Sequence, residues 1–306
     1  MMRTMSKIIF GIDLGGTRIK IGLFDINGNL ISKGDIPTDT SNNGQNIIDD
    51  IARELLRSLE ERQAGLADIV GIGIDVPGAV LGHTTVNRCV NLGWGLVDVS
   101  SKLSEAMGIP RDWVIVGNDA NVAALGEFFD GGAKEYSSMM MVTIGTGVGG
   151  GLIMDGNIID GVNGAAAEIG HIPVSDDLDF DCSCGNRGCL EQLASATAIA
   201  RMAGTADAKE AFDRAYAGDE LAVKAIDTAA EALGKAMAAV ACVVDPECFL
   251  IGGGVAAAGE KFIEKIRASY AKRAFHSSKK TKILRAKLGN DAGIYGCARM
   301  ILNRYE

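Results

Sequence analysis

Ile8-Ile-Phe-Gly-Ile-Asp-Leu-Gly-Gly-Thr-Arg-Ile-Lys-Ile-Gly-Leu-Phe24 is the stretch on which the fold turns. The apolar run Ile8–Asp13 predicts a buried strand and Ile19–Phe24 a second. Gly15-Gly16-Thr17 between them is a tight turn, Asp25-Ile-Asn-Gly28 is another, and Leu30–Lys33 is a third strand. The same order then returns. Met139–Ile144 reads as a strand, Gly145-Thr-Gly-Val-Gly-Gly-Gly151 as a glycine turn, and Leu152–Met154 as a strand. Asp155-Gly156-Asn157 is a turn before the short strand Ile158-Ile159. A duplicated strand–glycine turn–strand predicts two related α/β domains, each opening with a hairpin whose turn faces one cleft.

Helical signals fill the intervals. Ile47, Ile51, Leu55 and Leu59 recur every four positions with Glu54, Arg57 and Glu60 between them, and Asn121–Phe129 reads helical. Ile69–Ile74 is a strand ending at Pro77-Gly78, and Val114–Val116 is a short one. Leu221, Ala225, Ala229, Leu233 and Met237 share one helical face. Cys248–Ile251 is a strand, and Gly252-Gly-Gly254 opens the next helix. The expected division is 1–118, joined by a C-terminal helix at about 291–306, and a larger domain over 119–290.

Composition narrows the function classes. In 306 residues, 47% are hydrophobic and 23% charged, which is a globular balance. The net charge of −9 and the absence of a basic patch argue against a nucleic-acid partner. Asp245, Pro246 and Glu247 interrupt the apolar stretch Ala236–Ile251, so no membrane span is expected. The N-terminus does not read as a signal peptide, and the expected compartment is the cytoplasm, where thiols stay reduced.

Gly145-x-Gly147-x-x-Gly150 matches the dinucleotide fingerprint, but that fingerprint needs a helix directly after it to hold the pyrophosphate. A hairpin follows instead, which rejects the reading. Three glycine turns remain, Asp13–Thr17, Gly145–Gly151 and Gly252–Gly254. Without Cβ atoms, their N–H groups can approach phosphate oxygens closely. Taken together they predict a nucleoside triphosphate site, with Asp13 and Thr17 placed to orient a hydrated Mg2+.

Asp119, in Gly117-Asn118-Asp119-Ala120-Asn121, has the chemistry to accept a hydroxyl proton during phosphoryl transfer. The pentapeptide by itself favours a helix cap. Cys182-x-Cys184-x4-Cys189 lies in a glycine-containing loop eleven residues beyond His171. Three cysteines and one histidine form a closed tetrahedral zinc set, whereas a redox pair takes C-x-x-C spacing.

These segments resemble one family in order along the chain. Asp13-Leu-Gly-Gly-Thr-Arg-Ile-Lys20 resembles the first phosphate hairpin of actin-like ATPases and sugar kinases. Gly145-Thr146-Gly147 resembles their second hairpin, and Gly252-Gly253-Gly254 their adenosine loop. Asn118-Asp119-Ala120-Asn121, Glu168-Ile-Gly-His171 and Cys182-x-Cys-Gly-x-x-Gly-Cys-Leu-Glu191 resemble the catalytic and zinc segments of ROK-family sugar kinases. The resemblance implies two ribonuclease-H-like domains around a hinged cleft, with a zinc-bound loop over 171–191. It implies ATP and Mg2+ at Asp13, Gly15, Gly16, Thr17, Lys20, Thr146, Gly147 and the 252–254 loop.

It further implies Asp119 as the general base. The sugar would be held by Pro77, Gly78, Asn118, Asp119, Glu168, His171 and Glu191, and a structural Zn2+ by His171, Cys182, Cys184 and Cys189. Asn87-Arg-Cys-Val-Asn-Leu-Gly-Trp94 resembles the substrate-side segment of bacterial glucokinases, so the expected reaction is phosphorylation of glucose at O6. The rivals are another hexose or N-acetylhexosamine, polyphosphate as donor, and a sugar-binding ROK regulator without chemistry. A homodimer or homotetramer is the family's habit. The sequence departs from the family at Gly117, where Glu is usual, and at Ala167, where Gly is frequent.

Overall fold

The computed structural model describes residues 7–304 apart from 177, 179 and 180. The chain divides into two compact units. The first takes the described residues up to Asp130, Asp160–Ala165 and the stretch from Asn290 onward; the second takes Gly131–Ile159 and Ala166–Gly289.

The first unit is built on β1 (Ile8–Leu14), β2 (Arg18–Phe24), β3 (Leu30–Pro37) and β4 (Ile69–Val76). A small sheet of β5 (Ala79–Leu81), β6 (Thr85–Arg88) and β7 (Val97–Asp98) follows, then β8 (Val114–Asn118). The main sheet runs β3-β2-β1-β4-β8, antiparallel through β3, β2 and β1 and parallel from β1 to β8. The second unit holds β9 (Ser138–Ile144), β10 (Val148–Met154), β11 (Asn157–Ile158), β12 (Cys248–Gly252) and β13 (Lys282–Arg285). Its order is β11-β10-β9-β12-β13, with the same change from antiparallel to parallel at its third strand. The duplication read from the two glycine hairpins is therefore a duplication of whole sheets.

Each sheet is buried by helices, as a parallel core requires. Ile47–Glu61 buries Ile47, Ile51, Leu55 and Leu59, the face its periodicity defines. Glu220–Val244 buries Ala225, Ala229, Leu233 and Met237, but Leu221 in its first turn is exposed. The helix Asp119–Asp130 belongs to the first unit because its backbone touches that of the C-terminal helix Ala292–Leu302. A Cβ at Gly126 would overlap the Ala292 carbonyl, and one at Gly296 would overlap the Val122 carbonyl. Gly11 and Gly73 let the same C-terminal helix lie directly on β1 and β4.

The expected division at 118/119 shifts, because the helix Asp119–Asp130 lies in the first unit, and two element boundaries also differ from the sequence reading. The glycines Gly149–Gly151 lie inside β10 rather than in a turn, which shrinks to Gly145-Thr146-Gly147. Gly252–Gly254 does not start a helix directly. A short 3-10 turn, Gly254–Ala258, precedes the helix Glu260–Arg273. No helix among the described residues is long and apolar enough to cross a membrane.

Candidate active site and metal cluster

In the first unit, β1 and β2 are closed by a turn in which the Gly15 N–H donates to the Arg18 carbonyl at 3.1 Å. Gly16 and Thr17 at its tip are exposed. Asp13 and Lys20 face one another in register, and Lys20 Nζ donates to Asp13 Oδ2 at 2.7 Å and to the Asn290 carbonyl at 2.7 Å. Beside Asp13, on the parallel strand β4, stands Asp75, a buried carboxyl absent from the sequence-level site. Burial pushes its carboxyl well above the usual range, and the charges of Asp13 and Asp119 add to that.

β8 ends at Asn118, and the helix starts at Asp119. Asn118, not Asp119, does most of the capping: its Oδ1 accepts from the N–H groups of Ala120 at 3.1 Å and Asn121 at 3.2 Å. Its Nδ2 donates to the Gly78 carbonyl at 3.0 Å and to Asp119 Oδ1 at 3.1 Å. The loop Pro77-Gly78 is thereby tied to the strand–helix junction, with Gly78 at φ 121°. Asp119 is exposed, and the Ala120 N–H also reaches its Oδ1 at 2.9 Å. A side chain at Gly117 would run into Val122 and Met300. Trp94, at the end of the 87–94 segment, is buried and donates from Nε1 to the Gly44 carbonyl at 3.2 Å.

In the second unit, the Gly145 N–H donates to the Gly147 carbonyl at 2.9 Å to close the β9–β10 turn. Glu191 Oε2 accepts from the Val148 N–H at 3.0 Å and fills the space a Cβ at Gly147 would need. One of the carboxylates expected at the sugar is thus already bound at the start of β10, beside the Gly145–Gly147 turn. Thr197 Oγ1 donates to the Thr146 carbonyl at 3.0 Å. Gly253, at φ 78°, packs against the Ile144 backbone and brings the 252–254 loop to the same end of the sheet. A cavity of about 540 Å3 opens there between Gly145-Thr146, Gly254-Val255 and the helix Ala208–Tyr216. Its size suits a nucleoside. The helix wall, with Phe212 and Tyr216, escaped the sequence reading. The only local signal was the Asp207 cap, which accepts from the Glu210 N–H at 2.8 Å.

Glu168 is exposed and precedes the short 3-10 turn Ile169–His171. The neighbouring Ala167 sits at φ 64°, a conformation natural to glycine. Gly170 and Gly150 let this segment lie against β10, since Cβ atoms there would overlap the carbonyls of Val148 and Ala167.

His171 meets the three cysteines. Its Nδ1 lies 3.6 Å from Cys182 Sγ, Cys184 Sγ lies 3.7 Å from Cys189 Sγ, and all four ligand atoms fall within 4.8 Å of one another. Ligands at ~2.0–2.3 Å from a tetrahedral zinc stand roughly 3.5–4 Å apart, so the set fits that ion. Gly185 at φ 90° and Gly188 at φ 74° supply the bends. All seven cysteines are free. Burial opposes ionisation at both Cys182 and Cys189. At Cys182, hydrogen bonds from Cys184 and His171 overcome it and bring the thiol down to about 6. At Cys189 the neighbouring sulfurs add to it and push the thiol up to about 12.

Two sheets of this topology, each opening on a glycine hairpin, define the mixed α/β fold of the actin- and hexokinase-like proteins. The ROK family model matches residues 9–304, and the chain belongs to that family. It is 39% identical to a glucokinase of Halalkalibacterium halodurans, across 94% of this chain and 92% of that protein. Among solved structures, the ROK hexokinase of Thermus thermophilus has a TM-score of 0.83 at 32% identity, covering 95% of this chain and 96% of that one. A ROK family glucokinase from Streptomyces griseus, solved with glucose and AMPPNP, has a TM-score of 0.78 at 31% identity, covering 96% and 98%.

Proposed function

We propose that this chain is an ATP-dependent glucokinase that transfers the γ-phosphoryl group of ATP to O6 of glucose. The observation that carries the reading is the division of labour at the start of the helix Asp119–Asp130. Asn118 caps the helix, and an exposed carboxylate stands at its first residue. The likeness to glucokinases supplies the sugar.

Asp119 takes the O6 proton as the O6–P bond forms and the bond to the β-phosphate oxygen breaks; the proton then passes to solvent. A carboxylate is a weak base, so the task of Asp119 is late proton transfer, when O6 is already bonding to phosphorus. Asp13 and Thr17 would orient a hydrated Mg2+, and Lys20 neutralises charge beside Asp13. Gly15, Gly16, Thr146 and Gly147 receive the phosphates through backbone N–H groups, and Gly252–Gly254 receives the adenosine. Pro77, Gly78, Asn118, Glu168, His171 and Glu191 hold the sugar hydroxyls. Zinc bound by His171, Cys182, Cys184 and Cys189 would act as a structural pin, since four protein ligands leave no position for a reacting water. The pinned loop holds His171 and Glu191 in place. The same reading makes the enzyme a cytoplasmic homodimer or homotetramer.

The test is ADP release with Mg-ATP across a panel of hexoses and N-acetylhexosamines, with Asp119→Asn in parallel. Glucose is expected to lead, and the variant to lose ~10²–10⁴-fold in kcat with unchanged melting. A different leading sugar moves the substrate and keeps the mechanism. No sugar-dependent ADP release from zinc-replete folded protein overturns the kinase reading.

A further inference from the structure

Asp75 is a buried carboxyl of the first unit with few donors around it. It is 1% exposed, and its Oδ1 is buried without a hydrogen-bond partner. Its Oδ2 has one neighbour of donor type, the Cys297 thiol at 3.5 Å. That thiol carries a single hydrogen and lies closer, at 3.2 Å, to the Ile12 carbonyl. A buried carboxyl ordinarily gathers several donors, and one that does not imposes a penalty the fold must recover elsewhere.

The position of Asp75 says what would satisfy it. It pairs with Asp13 across parallel strands, so both side chains leave the same face of the sheet. They crowd one point: a Cβ on Gly293 would lie 2.6 Å from Asp75 Oδ2 and 3.0 Å from Asp13 Cβ and Cγ. The nearby negative charges acting on Asp75 are those of Asp13 and Asp119, and the nearby positive charge is Lys20. Lys20 is already held by Asp13 and by the Asn290 carbonyl. One ammonium against this many carboxylates leaves a deficit that a hard divalent cation is suited to fill.

We propose that Asp75 is a positioning residue of the divalent-cation site, its unpartnered oxygen receiving a hydrogen bond from the hydration shell of the cation that Asp13 orients. The proposal rests on the kinase reading only in taking that cation to arrive with the nucleotide. Asp75 does not touch the reacting atoms; it determines where the cation settles.

The test is Mn2+ binding measured by electron paramagnetic resonance, with a non-hydrolysable ATP analogue and no sugar, in wild type, Asp75→Asn and Asp75→Ala. Both variants are expected to bind Mn2+ about 10–100-fold more weakly. Metal-free nucleotide binding should hold. In turnover, half-activation by Mg2+ should rise by the same factor while the KM for glucose stays put. Unchanged Mn2+ affinity in either folded variant overturns the proposal. If neither variant folds, the wild type decides by anomalous diffraction. Mn2+ at ~4–5 Å from the Asp75 carboxylate, the span of one bridging water, supports the proposal. A more distant ion, or a buried water satisfying Asp75 without one, overturns it. Loss of all sugar-dependent turnover in wild type sinks the kinase reading instead, and leaves the Mn2+ result to stand or fall separately.

Discussion

The hairpin β1–β2 and the hairpin β9–β10 occupy the same place in their sheets and use glycine for opposite reasons. In the first, Gly16 sits at an exposed tip, where an added Cβ would meet nothing closer than Asn91 Cβ at 3.5 Å. Glycine there leaves room for something from outside the fold. Its flanks carry charge, with Asp13 and Lys20 paired at 2.7 Å. In the second, Gly145 is open, but the space beside Gly147 and Gly150 is taken by the protein itself, as the C-terminal helix takes that beside Gly11 in β1. Gly147 makes room for the Glu191 carboxylate, Gly150 for the Ala167 carbonyl, and Gly170 across from it for the Val148 carbonyl. Topological equivalence therefore does not carry equivalence of function. One hairpin presents charged side chains, and the other presents backbone and anchors the segment leading to His171.

The sharpest way to break that comparison is Gly170→Ala. Its Cβ would run into backbone rather than a side chain that can rotate away, so a loss of about 3 kcal/mol is expected. Both tryptophans, Trp94 and Trp113, lie in the first unit. Urea unfolding followed by far-UV ellipticity should therefore shift before tryptophan fluorescence does. Coincident shifts of the two signals would mean that the damage is not confined to the second unit.

Gly16→Ala makes the complementary cut. Stability should move by no more than about 0.5 kcal/mol, because the site has room. The KM for ATP should rise about tenfold, a cost of ~1.4 kcal/mol in nucleotide binding, with the KM for glucose unmoved. An unchanged KM for ATP would remove this turn from the phosphate site. The smallest effect belongs to Ala167→Gly. Relieving a left-handed alanine should stabilise the second unit by about 1 kcal/mol, since alanine at positive φ costs more than glycine's extra chain entropy. Calorimetry would detect the gain; a loss would show that the segment is held open by contacts the alanine methyl makes.

Much of the site was legible because its parts are local. The turn Gly15–Thr17, the Asn118-Asp119 junction and the Cys182–Cys189 loop each have spacing that dictates their geometry over a few residues. The Asn118 cap was half legible. The pentapeptide announces a cap, but only the hydrogen bonds to Ala120 and Asn121 assign it to Asn118 instead of Asp119. The run Gly149–Gly151 misled, because glycine reads as turn until the partner that needs the space is in view, and that partner is the 167–170 segment.

By itself, the sequence determined the repeated strand–turn–strand units, the buried faces of the long helices and the four-ligand metal set, all products of short-range periodicity and spacing. Tertiary structure alone decided three things. It placed the helix Ala208–Tyr216 as a cavity wall, bound Glu191 to the Val148 N–H, and buried Asp75 beside Asp13 with one oxygen unpaired. Each depends on residues tens of positions apart meeting in space. Burial and hydrogen-bond satisfaction are properties of the packed neighbours, which no local pattern encodes.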